Sequence, residues 1–123
     1  MFADEMMVNQ AETRTDEKGR LIIPVWTNRE PSENLILLKD EELNIYRLYS
    51  PKTIKTFFEK INLKIDESTT PEQELFYKKK LLNFSKSIIK NNKIDDFGRM
   101  STGLIKKKIN LVGAGDHLIL ELK

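Results

Sequence analysis

Two short stretches hold the residues best suited to chemistry, "TDEKGR" at 15–20 and "IDDFGR" at 94–99. Aligning Asp16 with Asp95, Gly19 with Gly98 and Arg20 with Arg99 gives one common offset of 79 residues. The chemistry such a set offers is anion recognition. An arginine fork can clamp a phosphate, or the O6 and N7 edge of guanine, for about 1–3 kcal/mol of discrimination when both bonds form. An acid four residues earlier orients the guanidinium or holds the turn, and cannot itself sit against phosphate. Taken alone, each D-x-x-G-R reads as a structural turn, because Gly19 takes a positive φ at little cost and Asp16 accepts bonds from backbone N–H groups two residues on. Recurrence of the whole pattern shifts that balance toward ligand contact.

Little else in the chain is equipped for catalysis. There is no cysteine, which removes disulfides, thiolate metal sites and cysteine nucleophiles. The sole histidine, His117, precedes a strand and reads as a satisfied structural residue. No serine or threonine sits in a nucleophile-elbow context such as G-x-S-x-G, and "VGAG" lacks both the Lys-Ser/Thr ending of a phosphate loop and the full dinucleotide spacing. Asp95 and Asp96 are adjacent, so on a turn or strand their side chains point apart, poorly placed to share a metal. The expectation is a non-enzyme with no metal and no cofactor. "YKKK" at 77–80 and "IKKKI" at 105–109 read as solvated helix faces, and Trp26 as a packing anchor.

The elements that must position the two turns are legible from patterning. A strand over 8–15 leads into the first turn, and "LIIP" is a short buried strand closed by Pro24. Residues 35–38 and 43–49 form a hairpin around "KDEE"; in the second arm neither face is purely polar, which suits a strand with protein on both sides. Ser50 as N-cap and Pro51 at the first helical position open a helix whose Ile54, Phe57, Phe58 and Ile61 share one stripe. After a linker, "NLKIDESTT", the set Thr70, Pro71 and Gln73 opens a second helix. Leu75, Leu82 and Ile89 recur at seven-residue spacing and carry it to about "NN" at 91–92. Beyond the second turn, "STGLIKKKIN" predicts a short helix capped by Ser101 or Thr102, with Ile105 and Ile109 on one side and Asn110 as its left-handed cap. "GAGD" is a turn, and "HLILELK" a closing strand.

At 123 residues, 39% hydrophobic and 33% charged, the chain suits a single domain with a modest core. The net charge of +2 hides an asymmetry: residues 1–70 carry ten Lys and Arg against thirteen Asp and Glu, residues 71–123 eleven against six. A basic surplus in the second half points to an anionic partner. No apolar run is long enough to cross a bilayer, and "MFADEMMVNQ" carries acids where a signal peptide carries bases, so a soluble, cytoplasmic protein is expected.

The succession of acidic turn, Gly-Arg, apolar strand, short helix, "GD" turn and final strand over 95–122 resembles the AbrB-like swapped-hairpin family of DNA-binding regulators. Two copies separated by a helical insert, in the order "DEKGRLIIP", "NLILL", "LNIYRLYSP", "KTIKTFFEKI" and "DDFGR", resemble the MraZ family of bacterial regulators of the division and cell-wall gene cluster. The resemblance implies an α+β domain over 1–123: a first half-repeat at about 8–50, a helical insert at about 51–91 and a second half-repeat at about 92–123. The half-repeats would form a swapped-hairpin barrel. It further implies a nucleoid-associated, sequence-specific transcriptional regulator that assembles with itself, in the family as rings, on double-stranded promoter repeats. The shared D-x-x-x-R motif falls on Asp16 with Arg20 and on Asp95 with Arg99, the arginines contacting DNA and the acids positioning them. Arg14 and Lys18 flank the first copy as phosphate contacts. Phe97 replaces the lysine in the second copy, leaving a shape or stacking contact, or none. The family's short helix after Pro24 meets weak periodicity and a Pro31 in "VWTNREP". An AbrB-type antitoxin, or a barrel acting through protein–protein contact without DNA, are the alternatives.

Overall fold

The computed structural model describes residues 9–27, 29 and 32–123; Val8 and Pro31, on which two of the expectations rest, lie outside them. Eight strands and two helices follow in the order β1 (Gln10–Arg14), β2 (Arg20–Ile22), β3 (Asn34–Asp40), β4 (Ile45–Tyr49), α1 (Pro51–Asp66), α2 (Pro71–Ser87), β5 (Ile88–Lys93), β6 (Arg99–Ser101), β7 (Lys108–Gly113) and β8 (His117–Leu122) among the described residues. A single 3₁₀ turn, Val25–Thr27, stands where a helix after Pro24 was in question.

Six strands form one antiparallel sheet in the order β1-β7-β8-β4-β3-β5, and β2 pairs with β6 in a separate two-stranded ribbon. Exchanging the halves of the chain turns this order into its own reverse. The first strand of each half pairs with the third strand of the other, β1 with β7 and β5 with β3, while β4 and β8 meet at the centre. The molecule is thus α+β, but the sheet is open, not closed into a barrel as expected. β1 and β5 end it on opposite sides, and the three-residue strands β2 and β6 pair only with each other.

Burial explains this layering. Leu21 and Met100, the middle residues of the ribbon, are fully buried against Leu37, Ile109, Leu111, Leu118 and Leu120 of the sheet. The other face of β3 offers Ile36 and Leu38, which meet Ile54 of α1 together with Phe58, Phe84 and Ile88. Ribbon, sheet and helix pair therefore stack as three layers, with β3 buried on both faces as an apolar run of four requires.

Several boundaries move for identifiable reasons. Ser50 caps α1 by accepting from the Thr53 N–H, as expected, but the helix runs through "NLKID" to Asp66, because half-buried Ile65, four residues beyond Ile61, continues the stripe. Thr70 accepts from the Gln73 N–H, and Gln73 reaches back to the N–H of Thr69, not of the cap itself. α2 stops at Ser87, short of 91: Ile88 opens β5, and the ladder with β3 skips Ile89 as a bulge, which takes Ile89 off the heptad line of Leu75 and Leu82. Residues 102–107 are a turn and not a helix, with Gly103 at φ 80° and Lys106 at φ 51°. Ile109 and Leu111, both fully buried, alternate around Asn110, so a strand period overrides the i, i+4 match of Ile105 with Ile109.

Candidate functional site

Both acidic turns fold the same way. In the first, the Gly19 N–H donates to the Asp16 carbonyl at 3.0 Å and the Asp16 N–H to the Arg20 carbonyl at 3.2 Å, with Gly19 at φ 76°. Oδ1 of Asp16 accepts the backbone N–H groups of Lys18 and Arg20, each at 2.9 Å, and Oδ2 takes Nε of Arg20 at 2.6 Å. In the second, Oδ1 of Asp95 accepts from Phe97 and Arg99, again at 2.9 Å, and Oδ2 takes Nε of Arg99 at 3.0 Å. Gly98 has φ 77° and donates to the Asp95 carbonyl at 3.0 Å. The motif is thereby explained position by position. Aspartate is short enough to reach the N–H groups two and four residues on, and glycine supplies the positive φ that closes the turn.

Electrostatics follow from these bonds. The backbone N–H of Arg20, and then its guanidinium, hold the Asp16 carboxyl below the ordinary carboxylate range. For Asp95 the backbone N–H of Arg99 comes first, followed by that of Phe97 and by the Arg99 guanidinium. The ion pairs are about one-third exposed, at 30% and 36% for Arg20 and Asp16 and at 26% and 37% for Arg99 and Asp95. Solvent screens such exposed pairs, so their principal effect is to fix where each guanidinium points.

Arg47 shows what an arginine committed to structure looks like. Its Nε and Nη2 donate to Asp40, and its Nη1 lies 2.8 Å from Nε2 of His117. Because arginine only donates, Nε2 accepts, and Nδ1–H of His117 donates to Asp116 at 2.8 Å. His117 is buried, stacks on Tyr49 and is a satisfied structural histidine. Arg20 and Arg99 differ from Arg47: Asp holds only Nε, and among the described residues no side chain takes the terminal Nη pair by hydrogen bond. Each presents an open two-pronged fork.

The ribbon brings the two forks together. Arg20 lies opposite Ser101 and Arg99 opposite Ile22, so all four residues share the face turned away from buried Leu21 and Met100. Arg20 and Arg99 are diagonal neighbours on that face, about 7–8 Å apart by strand geometry. Phe97, 79% exposed, lies beneath the Arg99 guanidinium, 4.9 Å from ring centroid to Cζ. The lysine of the first copy is thus replaced by an aromatic platform that steadies the arginine.

The remaining expected residues lie at the rim. Lys18 is exposed on the first turn, and Arg14 ends β1 on the large sheet, outside the ribbon. Sequence reasoning missed Lys106, Lys107 and Lys108, read as a solvated helix face. The Lys106 N–H donates to the Asp16 carbonyl, the Lys107 carbonyl and N–H bond to Thr15, and Lys108 stands in register opposite Arg14. Only the β1–β7 pairing reveals this, and no local pattern encodes it. Trp26 packs against the main core, as expected of an anchor.

Among the described residues no group of three or more His, Cys, Asp or Glu is placed to hold a metal ion, and no helix is long and apolar enough to cross a membrane. No family model and no curated protein matches the sequence.

Proposed function

We propose that this protein is a sequence-specific, double-stranded-DNA-binding transcriptional regulator of the MraZ-like kind, built from two swapped-hairpin half-repeats and acting as a homo-oligomer on promoter repeats. The observation that carries the reading is the pair of equivalent turns whose arginines share one ribbon face with their terminal forks open. Arg20 and Arg99 contact DNA, and Asp16 and Asp95 act as positioning residues. The exchange of first and third strands between the halves supports the swapped-hairpin assignment.

Self-association finds support on α2, which has no buried residue and exposes Leu75, Phe76 and Leu82 at 53%, 59% and 52%. A second copy of the same helix, laid antiparallel, covers this stripe and sets Glu72 and Glu74 against the partner's Lys86, matching opposite charges at both ends.

Fluorescence anisotropy with a duplex from the protein's own upstream region, at two salt concentrations, tests the DNA reading. Wild type is expected to bind with steep salt dependence, and the Arg20→Ala, Arg99→Ala double variant to lose both affinity and site preference, by at least tenfold if each fork makes one bidentate base contact. Identical behaviour of the two proteins would reduce the motif to a turn and direct attention to protein partners.

A further inference from the structure

We infer that Lys106, Lys107 and Lys108 form a phosphate-binding rim on the first turn, so that the two half-repeats, alike in fold, are unequal in function. The first turn anchors the backbone of duplex DNA and the second does not. The inference rests on the DNA-binding reading and adds to it a set of residues that the D-x-x-G-R repeat does not contain.

Three observations carry it. The loop is pinned to the turn: the Thr102 N–H and hydroxyl both donate to the Gly19 carbonyl, at 2.8 and 2.7 Å, while Lys106 and Lys107 bond Asp16 and Thr15. A Cβ on Gly19 would lie 3.1 Å from the Gly103 backbone, whereas among the described residues one on Gly98 would meet nothing within 4 Å. The lysines are therefore carried on a tight support beside Arg20.

The charges, moreover, are poorly arranged for stability. Arg14 and Lys108 are like charges directly opposite on an antiparallel pair, which is destabilising, and Glu12, diagonal to Lys108 and attracted to it, offsets this only in part because it is held first by Lys123. Lys106 sits at φ 51°, where glycine would be the easier residue.

Among the described residues the second turn lacks this surrounding. The Ile94 N–H donates to the Glu33 carbonyl as that of Thr15 does to Lys107, which makes Glu33 the equivalent of Lys107 and Asn34 the equivalent of Lys108. Lys93 faces Asn34 where Arg14 faces Lys108. Glu33 is itself taken up by Arg29 at 3.2 Å. Five cations ring the first turn at Arg14, Lys18 and Lys106 to Lys108, while the equivalent places in the second carry one lysine, Lys93, one acid, Glu33, and three uncharged residues, Ser32, Asn34 and Phe97.

The test is the salt dependence of duplex binding by anisotropy. Replacing Lys106, Lys107 and Lys108 together by Gln should lower the magnitude of the slope of log K against log salt by about 2–3, near 0.9 per phosphate released, and leave the ratio of specific to scrambled duplex unchanged. The corresponding triple Arg variant should match wild type, as should the charge-matched control Lys52, Lys55 and Lys60 to Gln, exposed on α1 across the sheet from the ribbon. Asn34→Lys should steepen the slope by about 1, and it decides the question if the triple Gln variant fails to fold. A triple Gln variant indistinguishable from the α1 control, while Arg20→Ala, Arg99→Ala abolishes binding, overturns the inference and leaves the DNA reading intact. Absence of salt-dependent binding in wild type overturns both.

Discussion

Asp16 and Asp95 each accept three bonds inside their own turn, and every one of those bonds favours the carboxylate over the acid. Their folded-state pKa values are depressed, so their contribution is fully present above the unfolded-state pKa near about 4, and is lost as pH falls through the lower folded-state values. An Asp16→Asn, Asp95→Asn variant keeps the shape of the turn and removes the titration. Its melting temperature should lie below that of wild type at pH 7, with the gap narrowing as pH is lowered to about 3. Thermal melts across that range decide the matter, and a gap that stays constant would mean that the carboxylates act through shape alone. Glu12 and Asp40 are depressed as well, by Lys123 and by the Leu43 N–H respectively, but they are common to both proteins and cancel in the comparison.

Among the elements, α2 is the least attached. Phe84 is its principal tie, stacked on Phe57 with centroids 3.9 Å apart and edge-on to Phe58 at 5.4 Å. Because the ring is only half buried, Phe84→Ala should cost about 2 kcal/mol, less than the 3–5 kcal/mol of a full core truncation. That loss should fall on α2. Native-state hydrogen exchange is expected to show its amides opening roughly thirtyfold more often, with those of β4 and β8 little changed; uniform loss of protection would show that the helix is integral to the sheet. How much of this was legible in the sequence varies by element. The caps at Ser50 and Thr70, the stripe of α1, the β3–β4 hairpin and both acidic turns are encoded within a few residues each. The end of α2 was not, because Ile88 and Ile89 satisfy a helical stripe and a strand equally well until β3 supplies the partner. "IKKKI" misled for the same reason. The lysine rim and the open sheet depend on which distant strands meet, as when Lys108 faces Arg14.

On the scale of the whole molecule, the ribbon and α2 lie on opposite sides of the sheet, so DNA and a second copy would not compete for the same surface. Sedimentation should give a species larger than the 14.4 kDa chain. Leu75→Lys with Leu82→Lys should shift it toward that mass, and a monomeric wild type would remove the oligomer from the proposal. Exposed residues of this kind contribute little to the fold of a single copy, so the variant should melt within a few degrees of wild type.

The exchange of strands between halves also governs the order in which the chain can fold. β1 leaves the ribosome well before its partner β7, and β4 waits for β8. A nascent chain ending before Lys108 holds Leu21, Leu37 and Leu48 without the Ile109, Leu111, Leu118 and Leu120 that cover them. Neither half can close on its own. Folding therefore waits for β7 and β8 to emerge and is dominated by contacts distant in sequence, a topology that folds slowly and leaves an apolar surface for chaperones until β8 is in place.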